Sequence, residues 1–290
     1  MIMKKLLSFT CLLLVVLSTL SACGGAKFDA SKDVTIVARE DGSGTKDAFM
    51  ELIGLKGQPD PTKNLSMQNG TAAVLTEVKG NPAAIAYESL GYVTGDVKKL
   101  KVDGVEATAA NCKSGTYKIS RPLSVVYKES SLDNAATKAF FDFLKSKDAQ
   151  TIISKEGYVS IVDNAADYTI DGSLSGIINI SGSTSLKPLM DEFVAKFRDL
   201  QPNITVNAAG GGSGQGYKDA EAGVSDFGMI SAEYNPETAP SCTYYTVAKD
   251  GIAVIVQKDN PLDNITLEQL KNIYDAEAAK APAWSDFIKD

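Results

Sequence analysis

The 290-residue chain contains no histidine. That excludes the Ser-His-Asp and Cys-His arrangements that activate a nucleophile, and it removes the commonest zinc ligand. Arginine is almost as scarce, with only Arg39, Arg121 and Arg198. Cysteine is sparse too. Cys11 and Cys23 lie in the N-terminal leader and directly after it, leaving Cys112 and Cys242, two thiols whose proximity the sequence does not give and which we read as free. Positive charge is in deficit, with a formal net charge of −7. Such a chain is a poor partner for nucleic acid or an anionic membrane surface. Any anion it holds must be held by local geometry, against the field of the whole molecule.

Long apolar runs are confined to the start. Met1 to Ala22 has a basic opening (Lys4, Lys5), an apolar stretch from Leu6 to Leu17 and a small-residue end. This is the pattern of a secretory signal peptide, too short at its apolar core to span a bilayer comfortably. It ends Leu20-Ser21-Ala22-Cys23-Gly24, which resembles the bacterial lipobox, whose cysteine is diacylated and becomes the new N-terminus. Cys23 is therefore the expected lipidation site, and residues 23–32 a lipidated tether. Each buried CH₂ of an acyl chain contributes about 0.8 kcal/mol, so several chains anchor firmly. The expected location is outside the cytoplasm, lipid-anchored to the cell membrane. Loss of Lys4 and Lys5 with the leader takes the formal charge to −9.

Beyond the leader, strand and helix patterns alternate, which predicts α/β architecture. DVTIVA (33–38), AAIAY (83–87) and PLSVVY (122–127) read as strands, and 46–55 and 72–79 as helices. Residues 137–156 carry apolar side chains at helical spacing and predict one long helix. A polar stretch, 163–175, separates two halves. The second half runs strand (177–180), helix through Leu186, Leu189, Met190, Phe193 and Phe197, strand, glycine-rich turn and helix. SDFGMIS and DGIAVIVQ follow as strands. TLEQLKNIYD follows as a helix capped by Thr266.

Three turns share one design: Gly42-Ser43-Gly44-Thr45, Gly182-Ser183-Thr184-Ser185 and Gly210-Gly211-Gly212-Ser213-Gly214 each precede a helix. Glycine lets backbone approach closely, the first helical N–H groups have no partner within the helix, and the dipole favours negative charge there. Hydroxyls add donors, and Arg39 adds full charge just before the first turn. Together they predict an anion site. Other motifs fail. Tyr217 stands where a P-loop requires lysine, and Gln215 breaks Gly-x-Ser-x-Gly.

These turns, with GNPAAIAYESLGYV, KISRPLSVVY and FFDFLKSKDAQTIISKEGYVSI, resemble the phosphate-binding proteins of high-affinity phosphate ABC transporters. The resemblance covers nearly the whole mature chain in rearranged order. Residues from Arg39 to about 162 are similar to the family's C-terminal part, and those from about 177 to 290 to its N-terminal part. The resemblance implies a circularly permuted, two-lobed periplasmic-binding-protein fold of type II. Residues 33–120 with 255–290 would form lobe one and 121–254 lobe two. It implies a monomer that binds inorganic phosphate, engages ABC permease subunits, catalyses no reaction and needs neither cofactor nor metal. A binding protein for a sulfate-like oxyanion, or a phosphate-sensing or adhesion lipoprotein, is the alternative.

The implied phosphate ligands are Arg39, Ser43, Gly44, Thr45, Thr184, Ser185 and Ser213. Asp41 is expected to pair with Arg39. Arg121 is expected to be structural and Arg198 solvated. Where the family commonly carries an aspartate that accepts the anion's proton, this chain has Ser231. That departure implies weaker discrimination against sulfate unless Asp41 or an acceptor not yet identified substitutes.

Overall fold

The computed structural model describes residues 27–278 and 281–288. The leader and Cys23 lie outside the described residues. In chain order the main elements are β1 (Thr35–Arg39), α1 (Gly44–Leu52), β2 (Leu65–Gln68), α2 (Thr71–Gly80), β3 (Ala84–Ser89) and the two-residue strands β4 (Lys98–Lys99) and β5 (Lys101–Val102). Next come α3 (Ala109–Ser114), β6 (Ser120–Tyr127), α4 (Ala135–Leu144), α5 (Lys147–Lys155), β7 (Gly176–Gly182), α6 (Lys187–Leu200), β8 (Ile204–Gly210) and α7 (Ser213–Ala222). The series ends with β9 (Phe227–Ile230), β10 (Thr243–Val256), β11 (Asn264–Ile265) and α8 (Leu267–Tyr274).

The expected long helix over 137–156 is two helices. Its apolar spacing is continuous, but Ser146 caps α5 by accepting the Ala149 N–H, and the chain turns at Lys145. At α8 Thr266 and Gln269 form the full reciprocal capping box. DGIAVIVQ is only the second half of β10, a 14-residue strand whose first half, TYYTV, alternates too weakly in burial to stand out.

The sheet runs β2-β1-β3-β10-β6-β9-β7-β8, with β4 also on β10. The parallel pairs β1–β2, β1–β3, β7–β8 and β7–β9 flank a central antiparallel ribbon of β10 and β6. Two large cores form on it, with a small third cluster of Val126, Tyr217, Ala220, Ile230 and Ala239. The first gathers Val34, Ile36, Phe49, Ile85, Tyr87, Ile252–Val256, Tyr274 and Trp284. The second gathers Leu123, Phe140, Phe143, Ile178, Phe193, Phe197, Phe227 and Val247. A fully buried aromatic side chain contributes about 1.5–3 kcal/mol, so each body is stabilised on its own. The chain passes from the first core to the second between Ile119 and Leu123, and returns between Ala248 and Ile252. Lobe two therefore gives up Ile252–Val254, which the sequence reading had placed in it, because their side chains pack into the first core.

At the far end of the first core, Asp33 pairs with Ala283 and Val34 N–H donates to the Pro282 carbonyl at 2.8 Å. Trp284, fully buried, donates through Nε1 to the Ala83 carbonyl. Cys112 and Cys242 are free thiols, and burial pushes both up to about 11. No helix among the described residues is long and apolar enough to cross a membrane.

Candidate anion-binding site

Each of the three predicted turns sits where a parallel strand ends and a helix begins, and the three meet at one place. β1 delivers Arg39 at its last position. The chain then turns through Gly42, whose φ of +80° suits glycine, and Ser43 caps α1 by accepting the Lys46 N–H. β7 ends at Gly182, and Ser183 Oγ accepts from the N–H groups of Ser185 and Leu186. β8 leads through Gly210–Gly212 into α7, which starts at Ser213. The Gly211 and Gly212 N–H groups both donate to the Gly182 carbonyl, locking the second and third turns together.

The first turn belongs to one lobe and the other two to the second, and they touch. Gly214 N–H donates to the Gly42 carbonyl at 3.0 Å, and Thr45 Oγ1 lies 2.7 Å from Ser185 Oγ. Gly44 has no room for a side chain. A Cβ there would lie 2.8 Å from Ser231 Oγ and closer still to Ser213 Oγ. Ser213 Oγ accepts the Ser231 N–H at 3.1 Å, and their hydroxyls are 3.3 Å apart. All seven predicted ligands are thus gathered in one cluster; Arg39, Ser43, Gly44, Thr45, Ser185 and Ser213 in it are buried.

Arg39 brings a full positive charge into this cluster, and it is 1% exposed. Its Nη2 donates to Thr184 Oγ1 at 2.9 Å, across the lobe boundary. Asp41 is not its partner. That side chain is 98% exposed at the turn's tip and pairs with Lys46 at 2.8 Å, which holds its carboxyl below the usual range. The turn carries Asp41 outward, and the neighbouring residue takes the role. Glu40 grips the Nε/Nη2 edge of the guanidinium with contacts of 2.8 and 2.9 Å, and it accepts the Gly70 N–H. Glu88, at the end of β3, takes Nη1 at 3.2 Å. Burial alone would depress the Arg39 pKa, but Glu40 and Glu88 outweigh it and hold the group above its ordinary value. Burial likewise opposes ionisation of Glu40, yet Arg39 and the Gly70 N–H bring its pKa below normal.

Sequence reasoning missed three members of the site: Glu40, Thr71 and Glu88. Thr71 opens α2, and its hydroxyl donates to Glu88 Oε1 at 3.2 Å and lies 3.4 Å from Thr184 Oγ1. A signal existed for two of them. Asn69-Gly70-Thr71 is a further glycine turn before a helix, and Glu88 is a charge closing an otherwise buried strand, AIAYES. Glu40, one residue from Arg39, carries no such mark. Behind the site Arg121 pairs with Asp250 at 3.1 Å, both buried, and donates to the Ser231 carbonyl at 2.9 Å. Arg198 is exposed in the last turn of α6.

A guanidinium fixed by two carboxylates and ringed by hydroxyls and three helix starts is built to grip a compact oxyanion. Among the described residues no group of three or more acidic or thiol side chains is placed to hold a metal ion.

Known proteins resemble this chain. A family model described as a PBP superfamily domain matches residues 26–148 and 166–289. The phosphate-binding protein PstS 2 of Streptococcus agalactiae is 38% identical over 279 residues, covering 93% of each chain. PstS 2 of Streptococcus pneumoniae is 33% identical over 280 residues, covering 93% of this chain and 94% of that one. The crystal structure of a phosphate-binding protein of a phosphate ABC transporter from Streptococcus pneumoniae superposes with a TM-score of 0.70 at 31% identity, covering 89% of this chain and all of that one. The chain belongs to the PBP superfamily and, within it, to the PstS family of phosphate-binding proteins.

Proposed function

We propose that this protein is an extracytoplasmic solute-binding lipoprotein that captures inorganic phosphate between its lobes and delivers it to an ABC permease, without catalysing a reaction. The observation that carries the reading is a buried arginine, Arg39, facing hydroxyls and helix starts from both lobes. The names of the relatives supply the anion, and that of the solved homologue supplies the transporter. Phosphate would be held by Arg39, Thr184, Ser185, Ser213, Ser43, Thr45 and the Gly44 N–H, and closure would exclude water and strengthen each charge-assisted bond. Calorimetry on the purified mature protein tests this directly. Saturable one-to-one binding of phosphate is expected, and a protein inert to phosphate overturns the reading.

The rearranged order belongs to the same proposal. Segments 30–34 and 282–285 lie side by side, so a chain opened elsewhere and joined here would keep the fold.

Closure makes Gly44 a sensitive position. In Gly44→Ala the added methyl meets Ser213 and Ser231 of the opposite lobe, and overpacking of this kind costs about 1–3 kcal/mol. Phosphate affinity should fall about ten- to a hundredfold. The melting temperature should hold, because the clash exists only between closed lobes. Titration and thermal melting of the variant measure both.

Anchoring rests on the lipobox-like Leu20–Cys23. Cys23→Ser should release the protein from the membrane or leave it unprocessed; fractionation showing unchanged processing and membrane retention would refute the lipid anchor.

A further inference from the structure

Arg39 has two edges for binding, and they are used differently. The Nε/Nη2 edge is closed by Glu40. The Nη1/Nη2 edge faces Glu88, Thr71 and Thr184, and it is the edge on which an anion can dock. Glu88 Oε1 already accepts from Thr71 Oγ1 and the Ser89 N–H, whereas Oε2 accepts only from Arg39 and retains capacity for one more donor.

Charge accounting around this edge is unfavourable to a bare dianion. Arg39 carries +1 against Glu40 and Glu88, and the other buried pair facing Glu88, Arg121 with Asp250, is neutral as a unit. Lys46 is engaged by Asp41 and Asp60. Among the described residues the hydroxyls of Thr71, Thr184, Tyr87 and, beyond Ser89, Tyr158 also lie near Glu88. A fully deprotonated oxyanion on Arg39 would therefore face a buried carboxylate with no proton between them.

We infer that Glu88 reads the anion's proton: its Oε2 accepts a hydrogen bond from a protonated oxyanion seated on Arg39, and it repels an oxyanion that brings none. This rests on the phosphate reading above. It assigns to the Arg39 lobe the discrimination that Ser231, a hydroxyl, cannot supply from the opposite one. The proton moves along one hydrogen bond and no bond to phosphorus changes. Burial holds the Glu88 carboxyl above its usual range, against the pull of Arg39, so it gains a proton readily as pH falls. A protonated Glu88 then donates to sulfate, which makes sulfate binding by the native protein acid-dependent while phosphate supplies its own proton.

The test is a competition titration of phosphate against sulfate on the native mature protein and on Glu88→Gln, with melting curves to check folding. The native protein should favour phosphate, with sulfate affinity strengthening by up to about tenfold per unit as pH falls. In Glu88→Gln the amide can donate to sulfate, so the phosphate-to-sulfate ratio should drop about a hundredfold and the acid dependence of sulfate should vanish. An unchanged ratio in a folded variant that still binds phosphate overturns the role of Glu88 alone. So does a native sulfate affinity that does not strengthen as pH falls. A native protein that binds no phosphate overturns the site reading itself.

Discussion

Arg39→Ala should weaken phosphate binding by about 10²- to 10³-fold in calorimetric titration, the equivalent of removing a desolvated charge partner worth about 3–5 kcal/mol. The nearby cations Lys46 and Arg121 are held by Asp41 with Asp60 and by Asp250, so neither replaces the lost guanidinium. Folding should suffer far less. Glu88, with its pKa already raised by burial, can take a proton and become neutral, and Glu40 is partly exposed and can turn to water. Arg198→Ala, on an exposed helix end, serves as the control and should bind as the native protein does. Equal affinities for the two variants would remove Arg39 from the site.

Arg121→Ala should act in the opposite way, on stability first. Arg121 and Asp250 face each other across the β6–β10 ribbon, both buried, so removing the arginine leaves a carboxylate without its counter-charge. Breaking a buried pair costs about 3–5 kcal/mol, measurable as a lower midpoint in urea unfolding. The pH dependence has a definite sign. Burial raises the Asp250 pKa in the folded protein despite Arg121, and without Arg121 that pull is gone. A carboxyl whose folded pKa lies above its unfolded value binds more protons when folded, so its penalty is full above the folded pKa and fades as pH falls through it. The variant should therefore be most impaired at neutral pH and recover part of the loss in acid. A loss that is the same at both would mean that Asp250 is not the stranded group. Phosphate affinity should fall only modestly, through the Ser231 carbonyl that Arg121 holds.

The sequence was most readable where local chemistry decides local structure. A glycine turn between an apolar strand and an amphipathic run leaves few alternatives, and all three such turns lie where a strand gives way to a helix. Thr266 capped its helix because the capping box is complete within four residues. Legibility failed where a partner comes from far along the chain. Arg39 chose Glu40 and Glu88 over Asp41 because the turn throws Asp41 into solvent beside Lys46, while β3 brings Glu88 in from 49 residues away. The break at Lys145–Ser146 was hidden for a related reason, since two helices covering one core carry the same apolar spacing as one. Arg121 read as structural, and it is, yet its carbonyl contact with Ser231 ties that structural role to the site.

The bridge between Asp33 and Ala283, with Trp284 and Ser285 donating to the carbonyls of Lys32 and Ala30, fastens the N-terminal segment to the first lobe. Any restraint applied through that segment is therefore borne by the first lobe, to which the second is joined through the sheet. Among the described residues the two lobes are joined in the main sheet through the two-strand ribbon of β6 and β10, adjacent and antiparallel, with Arg121 and Asp250 opposite each other. Two neighbouring strands allow bending and twisting about their common direction and resist sliding. Bending of that ribbon reorients one lobe relative to the other.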